Sequence, residues 1–175
     1  MAENDVVEGA SVQDTSKEGA AVEGAAVEGA SEDGTAVEGA AAAPVFKIMD
    51  IINVVFSLPS PSPVVHLREQ EPPFRVLDFP IGLPEAQSIA LALDHEKATR
   101  PSAHELLSSV IVATGSDVLA VRFTAAREGT IIAELDLMTP QGHQVLDCRP
   151  TDGIAVALRQ AVPAPILCDE TLLVD

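Results

Sequence analysis

Tryptophan and tyrosine are absent from this chain, and phenylalanine occurs only five times. The core must therefore be mainly aliphatic, and no row of rings is on hand to stack unpaired bases. Basic residues are scarce as well. Ten Lys and Arg stand against 27 Asp and Glu, a formal net charge of −17. Nonspecific binding to a duplex relies on Lys and Arg replacing phosphate counterions, so any binding to nucleic acid is expected to be weak and to lean on a local Arg patch or on metal ions. Cysteine is limited to Cys148 and Cys168, whose spacing is not that of a metal site. Without an export signal, two reduced, buried thiols are expected rather than a disulfide. No basic segment leads into an apolar run at the N-terminus, and no run reaches the ~20 residues that span a bilayer. These absences predict a soluble, cytoplasmic protein with no membrane partner.

What is present divides the chain in two. Residues 1–44 hold ten acids and one lysine, whereas residues 45–175 hold seventeen acids and nine Lys or Arg. The first part repeats a short phrase at Val7-Glu8-Gly9-Ala10, Val22-Glu23-Gly24-Ala25, Val27-Glu28-Gly29-Ala30 and Val37-Glu38-Gly39-Ala40. The period drifts, and the recurring Gly and Glu oppose both helix and compaction. Residues 1–44 read as a disordered, acidic, low-complexity tail that solubilises, and residues 45–175 as one domain.

Within that domain, Phe46 to Phe56 alternates like a long strand whose register slips once, and Pro59-Ser60-Pro61-Ser62-Pro63 is a loop by composition. Val64–Glu69 and Phe74–Ile81 read as strands, followed by a helix from Leu83 to about Asp94. A second helix runs from about Ser102 to Thr114. Ser102 and Glu105 have capping-box spacing, and Gly115 stops it. Asp117–Ala126 and Thr130–Thr139 form a hairpin about Glu128-Gly129, and Gln144–Cys148 gives a further strand. A third helix opens at Pro150, where a missing N–H costs nothing. Ile154 to Leu158 is apolar on almost every face, so this helix is expected to lie buried against a sheet. Ala164–Leu167 and Asp169–Val174 then read as a short strand and a last helical turn. Hairpin strands interrupted by helices predict an α+β fold, a single compact domain with a largely antiparallel sheet and about three helices.

The chemistry-bearing residues cluster at helix starts. Arg100 and Arg149 each precede a proline at a helix entrance, where backbone N–H groups also favour phosphate. His104 can act as general acid or base near neutral pH. Glu105, Asp147 and Asp152 supply hard oxygen ligands of the kind Mg²⁺ or Mn²⁺ takes. Facing helices would bring these groups into one pocket able to hydrolyse a phosphodiester, with His104, Glu105 and Asp152 catalytic, Arg100 and Arg149 on the substrate, and Asp147 and Asp152 as metal candidates. Structural roles are open to the same residues. Arg149 and Asp152 can pair to fix a helix start, Glu105 can serve as a cap, and Glu85 can complement a dipole. Arg75 and Asp78 read as strand-surface charges.

Four segments in order resemble the bifunctional nuclease domain family over roughly residues 45–175. They are Phe74-Arg75-Val76-Leu77-Asp78-Phe79-Pro80-Ile81-Gly82, Glu85 to Leu93, Arg100-Pro101-Ser102-Ala103-His104-Glu105-Leu106-Leu107, and Arg149-Pro150-Thr151-Asp152-Gly153 through Arg159. The resemblance implies a nuclease acting on DNA and RNA and a homo-oligomer. The alternative function is a noncatalytic oligomeric regulatory or anion-binding module. Three positions depart from the family pattern: Ala103 stands where Thr is usual, Glu105 where Asp is, and Gly153 where Ala is. The last is expected to weaken its helix turn modestly.

Overall fold

The computed structural model describes residues 43–56, 61–96 and 99–173. The repeats of the acidic tail and the Pro59-Ser60 part of the proline-rich loop lie outside the described residues. Strand β1 (Phe46–Phe56) carries the expected slip, a register shift between Ile51 and Asn53, and pairs antiparallel with β2 (Pro63–Glu69). Alternation along β2 sends Val65 and Leu67 inward, and both are fully buried. β3 (Val76–Pro80) completes the first meander and is followed by α1 (Leu83–Leu93) and α2 (Ala103–Ala113).

The second meander is β4 (Asp117–Arg127), β5 (Thr130–Thr139) and β6 (Gly142–Cys148). Its first turn holds Glu128 and Gly129 at φ 51° and 78°, the left-handed pair that matches strand twist in a two-residue hairpin. Helix α3 (Pro150–Ala157) then leads into β7 (Ile166–Asp169) and a single 3₁₀ turn, Glu170–Leu172.

β7 joins the two meanders. The sheet has seven strands in the order β3-β2-β1-β7-β4-β5-β6, with β7 antiparallel to β1 and parallel to β4. All other pairs are antiparallel, so the fold is α+β with a largely antiparallel sheet. The helices pack against the sheet and on each other, α1 and α2 both touching α3. Between the layers lies the aliphatic core: Val65, Leu67, Ile89, Val121, Phe123, Ile154 and Val156 are fully or almost fully buried. Six of the eight α3 residues are buried, as its apolar composition requires. Among the described residues no helix is long and apolar enough to cross a membrane.

Two expectations change. Arg75 is no surface charge. Its Nε, Nη2 and backbone N–H all bind the carboxylate of Glu69, which is 3 % exposed. The reason is local: the chain leaving β2 turns back on itself so that Arg75 faces Glu69. The last strand also sits two residues later than its composition suggests, because pairing with β1 and β4 fixes its register.

Candidate functional site

Helix N-termini leave backbone N–H groups unpaired and carry the positive end of the dipole. Two such ends meet here. At α2 the capping box forms in full: Ser102 Oγ accepts the Glu105 N–H at 3.3 Å, and Glu105 Oε2 accepts the Ser102 N–H at 2.7 Å. That box fixes the first turn, and with it His104. At α3 Arg149 is the N-cap residue, followed by Pro150, and no side chain makes a capping bond. Asp152 instead turns its carboxylate to Arg149, accepting Nε at 2.7 Å and Nη2 at 2.8 Å in a bidentate pair.

His104 stands between the two helix ends and α1. Its Nε2 lies 3.2 Å from Asp152 Oδ1 and its Nδ1 2.9 Å from Ser88 Oγ. Arg149 Nη1 reaches across to Glu85 Oε1 at 3.1 Å. Arg159 Nη2 donates to the Ser88 carbonyl at 3.0 Å and to Ser88 Oγ at 3.2 Å, while Nη1 holds the Ala155 carbonyl at 2.7 Å. Donor and acceptor chemistry orders this network. An ionised carboxylate only accepts and a guanidinium only donates. Nε2 therefore carries the proton that Asp152 accepts, and in the neutral imidazole Nδ1 is an acceptor to which the Ser88 hydroxyl can donate.

The electrostatics follow from the same contacts. Hydrogen bonds from Arg149, and secondarily from His104, hold the Asp152 carboxyl below the usual carboxylate range against the opposing effect of burial. Asp152 raises the Arg149 guanidinium in turn, with Glu85 adding to it. Burial lowers Arg159, and the charge of Glu105 partly offsets this. Beside the site, burial together with the charges of Asp152 and Asp147 pushes the Cys148 thiol up to about 11. Burial takes Cys168 to about 12, and both cysteines are free thiols.

Of the residues singled out in the sequence, the structure brings His104, Arg149 and Asp152 into direct contact. Arg100 is exposed and takes no part in the network. The Glu105 carboxylate closes the capping box and borders a cleft beside Arg159 rather than facing Asp152. Asp147 stands exposed on β6, opposite Glu134. Divalent cations need several free oxygens at once, and the two carboxylate oxygens of Asp152 are taken up by Arg149 and His104. Among the described residues no three His, Cys, Asp or Glu side chains are grouped to hold a metal ion. The donor set does not fit a prebuilt Mg²⁺ or Mn²⁺ site.

Glu85, Ser88 and Arg159 join the site without having been singled out for it. The signal lay in helical spacing. Glu85, Ser88 and Ala92 fall on one stripe of α1 at i, i+3 and i+7, and that stripe faces α3 and the cleft.

The family model for the bifunctional nuclease domain matches residues 65–175. An uncharacterized protein of Mycobacterium tuberculosis strain CDC 1551 / Oshkosh, MT1877, is 35 % identical over 123 residues, covering 70 % of this chain and 71 % of its own length. The uncharacterized protein Rv1829 of strain H37Rv matches with the same identity and coverage.

Proposed function

The chain belongs to the bifunctional nuclease domain family, and from that premise we propose that it hydrolyses phosphodiester bonds of DNA and RNA at the His104–Asp152–Arg149 cluster. The observation that carries this reading is the ordered chain of donors from Ser88 through His104 to Asp152. In it Asp152 holds the imidazole in one tautomer and offsets the imidazolium that forms, the logic of a catalytic triad. A water beside Ser88 gives its proton through the hydroxyl to His104 Nδ1. Its oxygen attacks phosphorus, the bond to the leaving oxygen breaks, and His104 returns the proton to that oxygen. Arg149 supplies positive charge. Three of its five N–H groups are used on Asp152 and Glu85, which leaves two for phosphate oxygens on a side chain that is 64 % exposed. Glu105 acts as a positioning residue, fixing the turn that carries His104.

Digestion of single-stranded RNA and plasmid DNA by the full chain, in Mg²⁺ and in EDTA, tests the proposal. His104→Gln is expected to slow cleavage by about 10²-fold or more, and Arg149→Gln to weaken substrate binding. Cleavage unchanged in His104→Gln would remove this site. A second reading, the noncatalytic anion-binding module, draws on both Asp152 oxygens being engaged by Arg149 and His104 while Arg149 keeps two N–H groups for an anion. A folded wild-type protein that cleaves neither substrate would favour it. We further propose a homo-oligomer, supported by apolar side chains left exposed on α2 (Leu106, Val110) and on the edge strand β6 (Val145, Leu146).

A further inference from the structure

An open cleft of about 690 Å³ lies between the C-terminal half of α1, the flank of α2 and the end of α3, within the ~300–1,000 Å³ range of small-molecule sites. Part of its wall is aliphatic and includes Ala92, Val112 and Leu158. Polar side chains make up about half of the lining, Glu105, Ser108 and Arg159 among them.

Ser108 is the informative one. A serine inside a helix ordinarily returns its hydroxyl to the carbonyl four residues back, as neighbouring Ser109 does to the Glu105 carbonyl at 2.8 Å. Ser108 does not. Its residue is 8 % exposed and its Oγ is buried with no hydrogen-bond partner. A buried hydroxyl left unpaired is destabilising, so this one is suited to a group delivered from the cleft. Arg159 is held in place by the Ala155 and Ser88 carbonyls and by Ser88 Oγ, and N–H groups remain on its Nε and Nη1. The cleft edge thus offers a hydroxyl that both donates and accepts, guanidinium donors, and a carboxylate acceptor.

We propose that this cleft is a nucleobase subsite of the phosphodiester site, a proposal that rests on the nuclease reading. An unpaired base presents flat apolar faces and an edge of mixed donors and acceptors, and the cleft offers a partly aliphatic wall and the matching mixed edge. Its position agrees. Arg159 bonds Ser88 at 3.2 Å and Ser88 bonds His104 at 2.9 Å, so two hydrogen bonds separate the cleft wall from the imidazole that moves the proton. A base paired in a duplex keeps its edge engaged with its partner and cannot enter. The substrate this selects is single-stranded.

The test is binding rather than cleavage. Titration calorimetry of the full chain with cytidine 5′-monophosphate, adenosine 5′-monophosphate and ribose 5-phosphate separates base from phosphate. At least one nucleotide is expected to bind about tenfold more tightly than ribose 5-phosphate. Ser108→Ala, which removes an unpaired hydroxyl and keeps the fold, is expected to weaken that nucleotide about 3- to 10-fold and leave ribose 5-phosphate unchanged. Arg149→Gln weakens all three ligands together. Equal affinity for nucleotides and ribose 5-phosphate overturns the subsite even where the protein cleaves RNA, and so does a Ser108→Ala variant with wild-type nucleotide affinity. Base-dependent binding without cleavage instead upholds the subsite and sinks the nuclease reading.

Discussion

Glu69 and Arg75 show how differently one kind of contact behaves in the two parts of this molecule. Glu69 is buried and Arg75 half-buried, and three hydrogen bonds to the one carboxylate hold the turn between β2 and β3. Removing one partner strands a charge away from water, so Arg75→Met is expected to cost about 3–5 kcal/mol in urea unfolding. The double change Glu69→Leu with Arg75→Met should recover most of that, since an apolar pair leaves no charge uncompensated. The Arg149–Asp152 pair is instead open to solvent on the arginine side, so it adds less to stability and serves mainly to hold His104. Both carboxylates are held below their ordinary range, chiefly by hydrogen bonds from Arg75 and from Arg149. A depressed folded-state value means the unfolded chain binds protons more readily. The stabilisation is then complete above the ordinary carboxylate range, roughly pH 5, and fades as pH falls through the depressed folded-state values. A thermal melt series is expected to be flat from pH 8 to about 5 and to drop below it. Asp152→Asn should flatten part of that drop, and an unaltered acid limb would contradict the pairing.

At the level of elements, the most telling position is Gly153 in the first turn of α3. An added Cβ would stand 2.7 Å from Val121 Cγ1 and 3.2 Å from Cys148 Sγ, so the helix rests too close on β4 to admit a methyl group. Alanine is the better helix former, yet Gly153→Ala is expected to destabilise by about 1–3 kcal/mol through overpacking. Gly153→Ala with Val121→Ala should lose less than the two single changes added together, and strict additivity would rule out the contact. Nothing local in the sequence announces this, because Val121 lies 32 residues away on another element. Local features were readable for the opposite reason. The Ser102–Glu105 box, the Glu128-Gly129 turn and the slip in β1 each depend on a few neighbouring residues whose chemistry admits one geometry. The meeting of His104 with Asp152 was foreseeable only as a consequence of facing helices. The reach of Arg149 to Glu85, 64 residues earlier, required knowing that α1 also packs on α3. Arg100 shares the proline-marked setting of Arg149 and still lies outside the cluster. A motif fixes a backbone conformation, and the tertiary fold decides what its side chain meets.

Across the whole molecule, the sheet ends at β3 and β6, and β6 leaves Val145 and Leu146 exposed at an unpaired edge. Such an edge is a template for pairing. If the oligomer uses it, Val145→Lys should shift light-scattering mass toward the monomer, and an unchanged mass would place the interface elsewhere. Charge sets a stronger constraint on how nucleic acid can be held. A chain at −17 repels a polyanion at long range, so binding cannot come from many Lys and Arg replacing counterions along a backbone. Within the cluster, Arg149 is the exposed guanidinium, with two N–H groups to spare. Each phosphate neutralised on a single strand contributes a slope of about −0.7 to a plot of log affinity against log salt. One such contact predicts a slope near −0.7 for a short single-stranded oligonucleotide, with little further loss at high salt because the remaining affinity comes from base contacts in the cleft. Arg149→Gln should flatten the slope toward zero, whereas Ser108→Ala should lower affinity at every salt concentration and leave the slope alone. A slope of −3 or steeper in the wild-type protein would mean that a basic surface elsewhere carries the binding, and that neither the cluster nor the cleft is where the strand lies.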